Sequence, residues 1–154
     1  FEVWFNKQGV GSVGSAFDGI FQKEGGYSGY PIYGIRASSE ANPTNLTMYF
    51  AYSGTNNDSD QTNVKVNGIT IGEWVCCSVT VSSDNVAKGY YQGELQSTLT
   101  LDGDLKDENN TCLIGMGDGR RFNGYIPIVK IYNRELSASE VRQNFNAMKS
   151  RFGL

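Results

Sequence analysis

Phe122-Asn123-Gly124-Tyr125-Ile126-Pro127-Ile128-Val129-Lys130-Ile131-Tyr132 runs straight into Asn133-Arg134-Glu135-Leu136-Ser137-Ala138-Ser139-Glu140-Val141, and this junction decides the fold. The first half is rich in β-branched and aromatic residues and reads as a strand over 122–132. Pro127 cannot donate to a ladder, so the strand carries a bulge or lies at an exposed edge. The second half opens a helix. Ser137 and Glu140 stand at capping-box spacing, with Leu136 and Val141 placed as a hydrophobic staple. Ala138, Val141, Phe145, Met148 and Phe152 then recur every three or four residues and form one apolar stripe. Lys149 and Arg151 suit the negative end of the helix dipole, and Gly153 is a ready C-cap. A helix with such a stripe is expected to pack on a sheet rather than stand alone.

Upstream, short apolar runs alternate with turns. Phe1, Val3 and Phe5 share one face of an opening strand, and residues 7–16 read as a Gly-rich loop. Strands are expected near 17–23, 32–37 and 46–52, separated by a turn over 25–31 and a polar loop over 38–44. A polar excursion over 53–60 follows. Asn67-Gly68 between the arms of 64–71 predicts a hairpin with a type I′ turn. Trp74 to Ser82 alternates cleanly, with Val75, Cys77, Val79 and Val81 on one face. Cys76, Ser78, Thr80 and Ser82 take the other, which predicts a half-solvated strand. Strands over 86–91 and 95–101 flank a Gln92-Gly93 turn, an acidic loop covers 102–110, and a last short run occupies 111–116. Many short strands and one terminal helix predict an all-β fold, two antiparallel sheets packed as a sandwich. Trp74, Val79, Val81, Ile126, Ile131 and Phe145 are the expected core.

A chain of 154 residues has room for one domain, here 1–154. Net charge is −3, and the 13 basic residues are scattered, with only Arg120-Arg121 adjacent, so no basic stripe points to nucleic acid. No apolar run is long enough to cross a bilayer, so no membrane insertion is expected. Histidine is absent, which removes Ser-His-Asp and Cys-His catalysis and His-ligated zinc together. Cys76, Cys77 and Cys112 are an odd set. They read as small buried or half-buried apolar residues, favouring assembly in a reducing cytoplasm, with a Cys112 disulfide to one of the others as the alternative. The first residue is Phe1, already within an alternating stretch, so the domain is expected to be the C-terminal part of a longer chain.

The stretch from Phe122 through Val141 resembles the closing signature of laminin-G-like, concanavalin-A-like jelly-roll domains, in which a Gly opens a strand ending in Ile-Tyr-Asn-Arg-x-Leu-Ser-x-x-Glu. Trp74 with Val79-Thr80-Val81 is similar to that family's Trp strand. Tyr90-Tyr91-Gln92-Gly93-Glu94-Leu95 resembles its Tyr-x-Asn-Gly hairpin, with Gln92 in place of Asn, and Phe1–Asn6 resembles an early aromatic-centred strand. The chain departs at its beginning, where the family has a strand or two before the position of Phe1. Residues Gln143 to Leu154 are similar to the C-termini of laminin-G-like virion proteins of tailed bacteriophages. The resemblance implies a jelly roll and a binding or structural role.

Some relatives of such a sandwich are glucanases, whose retaining chemistry needs two carboxyls about 5–5.5 Å apart. The family's Glu-x-Asp-x-x-Glu strand array is missing here, and the acids collect in loops, so no catalysis is expected. Asp102, Asp104 and Asp107 are the calcium candidates, because Ca²⁺ takes six to eight oxygens from carboxylates and loop carbonyls. No full ligand set is visible among them, and no other cofactor is called for. Tyr27 and Tyr30 beside a Gly-rich turn, with Asn56, Asp58 and Asp60 in the polar excursion, are candidate glycan contacts. The leading expectation is a non-catalytic virion module of a tail fibre, appendage or capsid surface. It would assemble in the host cytoplasm as a homo-oligomer and bind other virion proteins or a host surface glycan. The alternatives are a secreted carbohydrate-binding or adhesion domain and, third, a glycoside hydrolase relative.

Overall fold

The structure is a computed structural model that describes residues 1–11, 17–24, 31–38, 46–53, 61–101, 109, 111–117 and 120–154. One five-stranded antiparallel sheet joins β1 (Glu2–Lys7), β6 (Trp74–Val81), β7 (Val86–Tyr91), β8 (Glu94–Thr100) and β12 (Gly124–Lys130) in the order β12-β1-β6-β7-β8. A second joins β2 (Phe17–Glu24), β3 (Pro31–Ser38), β4 (Leu46–Ser53), β5 (Gln61–Ile69) and β9 (Cys112–Ile114) in the order β5-β4-β3-β2-β9. β10 (Met116–Gly117) and β11 (Arg120–Arg121) form a small ribbon, and α1 (Ala138–Met148) continues into a 3₁₀ turn over Lys149–Phe152. This is the expected antiparallel jelly-roll sandwich with one C-terminal helix.

Between the sheets lies the main core: Val3, Phe5, Ile20, Phe21, Ile35, Ala37, Val66, Ile69, Val75, Cys77, Val79, Ala87 and Leu101, with Phe1 packed against it. The Phe1-Val3-Phe5 face points inward as its period of two requires. Pro127 sits on edge strand β12, and a bulge accompanies it. β1 moves two residues, from Trp4 to Asn6, while β12 moves three, from Ile128 to Tyr125. An edge position and a bulge together remove the need for a proline N–H.

The sandwich has a third layer. α1 lies on the outer face of the β12-β1-β6-β7-β8 sheet, where Trp4, Cys76 and Phe145 form a second cluster with Ile128, Met148 and Phe152. Tyr90, Leu136 and Val141 form a third with Tyr132, which is the staple at the helix start. The Trp4 ring is fully buried and stacks on Phe145 at 5.8 Å and on Phe152 at 4.6 Å. The capping box forms at both ends, Ser137 accepting from the Glu140 N–H (3.3 Å) and Glu140 from the Ser137 N–H (2.8 Å). Gly153 closes the 3₁₀ turn at φ +73, a left-handed value that costs glycine nothing.

Several expectations are overturned. β6 is not half-solvated: Cys76, Ser78 and Thr80 are buried because α1 and the segment before it cover their face. Asn67-Gly68 makes no hairpin turn. β5 continues to Ile69, and from Val66 to Ile69 it takes three steps against two on β4, from Met48 to Leu46. Gly68 has φ +86, so the dipeptide supplies the positive φ of a bulge instead of a turn. The tight turn with two positive φ values is Gln92 (+51) and Gly93 (+79). The presumed loop over 7–16 starts late, since β1 runs through Lys7. Ile131, an expected core residue, is 57% exposed beyond the end of β12, and Trp74, Val81 and Ile126 are only half-buried. Ala138 of the apolar stripe is exposed. Cys112 is exposed on edge strand β9 and makes no disulfide, while Cys76 and Cys77 are buried thiols.

Truncating Phe145 to Ala removes the ring that holds α1 on Trp4. Urea unfolding of this variant is expected to show a loss of about 3–5 kcal/mol. A negligible loss would mean that the helix contributes nothing to the fold of the sheet beneath it.

Candidate binding rim

The antiparallel register sorts the connections between two ends of the sandwich. Glu24, Pro31, Ser53, Gln61 and Cys112 lie at one end of their sheet, as the pairings Glu24↔Pro31, Ser53↔Gln61 and Lys23↔Cys112 require. The facing sheet brings Val81, Val86, Thr100 and Lys130 to the same end, through Thr100↔Val86, Val81↔Ala87 and Glu2↔Lys130. Phe1 ties the two sheets together there, its ring 5.9 Å from Phe21 and 5.2 Å from Tyr33. The chain segments 25–30, 54–60 and 102–111 are bounded by strand ends on this rim, Leu101 and Cys112 flanking the last. Tyr27, Tyr30, Asn56, Asp58, Asp60, Asp102, Asp104 and Asp107 all fall in these segments and lie outside the described residues. Three stretches far apart in sequence thus start and finish at one end, a relation that only strand pairing reveals.

Beside this rim, a half-open cleft of about 300 Å³ is lined by Phe1, Val79–Val81 and Tyr132–Leu136. Its walls are held by ion pairs: Arg134 grips Glu140 at 2.7 and 3.1 Å, and Lys88 meets Glu135 at 3.3 Å. Deeper, Glu2 is 1% exposed on the helix-covered face of β1. It accepts from the Trp4 indole (3.1 Å), the Lys130 ammonium (2.8 Å) and the Asn144 amide (3.1 Å), and Asn144 also donates to the Tyr132 hydroxyl (3.0 Å). Burial lowers the Lys130 pKa, but the hydrogen bond and charge of Glu2 outweigh it, and the net shift is upward.

These groups are structural rather than catalytic in geometry. Among the described residues, the two buried carboxylates, Glu2 and Asp18, are each occupied by an ammonium, Lys130 and Lys7 respectively. The Lys7–Asp18 pair sits at the opposite end of the sandwich, where Asp18 also accepts from the Gly11 N–H (3.1 Å) and Lys7 lies 5.7 Å from the Phe122 ring centre. Gly11 has no room for a Cβ against Arg121 and Asp18. The sequence reading missed this pair because it assigned Lys7 to a loop. Burial pushes the Cys76 thiol up well beyond its ordinary value, with Glu2 adding to the effect, and burial then Cys76 do the same for Cys77. Neither thiol supplies a thiolate nucleophile at neutral pH. No group of three or more metal-ligating side chains occurs among the described residues, and none of their helices is long and apolar enough to cross a membrane.

Residues 1–142 match the laminin-G-type family described as the Concanavalin A-like lectin/glucanases superfamily. The chain belongs to this superfamily. Solved structures share the laminin-G-like fold. The binding domain of Botulinum neurotoxin DC in complex with rat synaptotagmin II aligns with 96% of this chain and 35% of its own length, at TM-score 0.61 and 14% identity. The same binding domain in complex with SialylT aligns with 96% and 34%, at TM-score 0.57 and 14% identity. The binding domain of Paraclostridial Mosquitocidal Protein 1 aligns with 95% and 36%, at TM-score 0.54 and 14% identity. This laminin-G-like chain therefore spans about a third of the length of these structures, and at such identities the fold is what they share. No curated protein sequence matches it.

The helix start makes a pH prediction. Glu140 is held down to about 2, first by the Arg134 hydrogen bond and then by those of Ser137. A carboxyl depressed on folding adds stability above its ordinary range near 4.5 and loses it as pH falls toward 2. Helix content followed by circular dichroism should decline through this window, and Glu140→Gln should flatten the decline while lowering the neutral-pH midpoint.

Proposed function

We propose that this laminin-G-like domain is a non-catalytic recognition module that binds a protein or a glycan through the rim bounded by Glu24, Pro31, Ser53, Gln61, Leu101 and Cys112. The convergence of these strand ends carries the reading, because three polar segments anchored at one end of a rigid sandwich form the usual setting for a binding surface. Tyr27, Tyr30, Asn56, Asp58 and Asp60 are its glycan contacts. Asp102, Asp104 and Asp107 are the place for calcium if the rim uses any.

The module serves on a bacteriophage virion, as part of a tail fibre, appendage or capsid surface. The C-terminal sequence from Gln143 and three cysteines without a disulfide support this reading, since unpaired thiols suit assembly in a reducing cytoplasm. Repetition within a homo-oligomer would raise the avidity of a weak sugar contact without new chemistry.

A glycan array probed with the purified domain tests the rim. Replacing Tyr27 and Tyr30 together by Ala is expected to weaken the best ligand at least about tenfold, roughly 1.4 kcal/mol, with the unfolding midpoint unchanged. Calorimetry of calcium into EDTA-treated domain, wild type against Asp104→Asn, tests the acidic segment. Light scattering that finds a stable monomer, together with no label on particles from antibodies to the domain, would count against the virion assignment.

A further inference from the structure

At the end of the sandwich opposite the rim, one row crosses the outer face of three strands: Tyr125 on β12, Asn6 on β1 and Trp74 on β6. The pairings Asn6↔Tyr125 and Asn6↔Trp74 place them side by side. The Tyr125 and Trp74 rings are 6.4 Å apart and tilted by 39°, and Phe152 at the end of the 3₁₀ turn backs Trp74 at 4.8 Å. Tyr125 is 61% exposed, the most open large side chain among the described apolar and aromatic residues, and Trp74 remains partly open. The helix that covers the middle of this face stops short of Tyr125.

We infer that Tyr125 and Trp74 form a stacking platform for a neutral, β-linked hexopyranose chain, separate from the rim and independent of whether the rim binds anything. A β-linked pyranose with equatorial substituents presents a flat C–H face, which packs on an aromatic ring while its hydroxyls seek amides. An amide is present at Gln8, which is exposed and donates to the Asn6 side chain. Asn6 itself is buried in the row, its amide spent on the Gly72 carbonyl (2.8 Å) and on Gln8. Charge argues for a neutral ligand. Glu73 and Arg151, next in sequence to Trp74 and Phe152, are both exposed and cancel. Size argues against a protein partner: aromatic side chains bury at most about 150–250 Å² each, whereas a specific protein interface takes roughly 1,200–2,000 Å². Two rings and an amide suit one or two sugar units.

The two tryptophans provide an internal control. Trp4 is fully buried with its indole N–H on Glu2, whereas Trp74 belongs to the platform. Titrating ¹⁵N-labelled domain with cello- and laminari-oligosaccharides should move the Trp74 indole resonance and leave that of Trp4 in place. Tyr125→Ala should weaken binding at least about tenfold, Tyr125→Phe should retain it, and neither should shift the unfolding midpoint, because the ring is largely exposed. The double variant Tyr27→Ala, Tyr30→Ala should leave the Trp74 response intact. The inference is overturned if the Trp74 resonance stays still with both sugar series, if Tyr125→Ala binds like wild type, or if the rim variant abolishes the response.

Discussion

Everything outside the inter-sheet core depends on Trp4 being covered. Its ring leaves the sheet on the side away from the sandwich interior, where a lone sheet would expose it. Phe145 and Phe152 stack on it instead, at 5.8 and 4.6 Å. Burying an aromatic side chain of this size removes some 150–250 Å² from water, and at about 25 cal/mol per Å² that is a few kcal/mol from one residue. The helix therefore belongs to the fold as a third layer. Its position makes β1 and β6 two-sided, which is why β1 is buried at all six of its positions.

Covering that face has an electrostatic consequence. Glu2 alternates with Val3 and therefore lies beneath the helix beside Trp4 and Cys76. A buried carboxylate without partners would cost several kcal/mol. Here Lys130 supplies the charge, and Trp4 and Asn144 supply hydrogen bonds, so strand β12, strand β1 and the helix are tied through one side chain. The Lys7–Asp18 pair does the equivalent at the other end, joining the two sheets where the apolar core gives out. Buried pairs of this kind add little net stability, but each disfavours alternatives that leave one charge alone.

The same layering divides the surface by use. The helix and its lead-in segment occupy most of one outer face, leaving the loop rim at one end and the Tyr125–Trp74 row at the other. Neither place contains the paired carboxylates of a hydrolase among the described residues, and the buried thiols are held protonated. Under the proposed function, recognition falls to the polar segments at the rim and to the aromatic faces beyond the end of the helix.

Features set by neighbours in sequence were readable from the residues alone. The capping box of Ser137 and Glu140, the staple of Leu136 and Val141, the inward Phe1-Val3-Phe5 face and the edge placement of Pro127 rest on local geometry, and each is present. Features set by what lies across a gap were not. Asn67-Gly68 needs positive φ, and that need is met equally by a turn or a bulge, so only the continued pairing of β5 with β4 decides between them. Alternation in β6 separates its two faces but cannot say that a helix some sixty residues later covers the polar one. Ile131 has core chemistry, yet β12 has ended before it reaches the interior. Lys7 meets Asp18 because β1 and β2 lie in facing sheets, and Tyr125 meets Trp74 because β12 and β6, distant in sequence, flank β1 on either side. Periodicity and capping act over a few residues and are written in the chain, whereas register and layer contact depend on which strands become neighbours, and packing alone determines that.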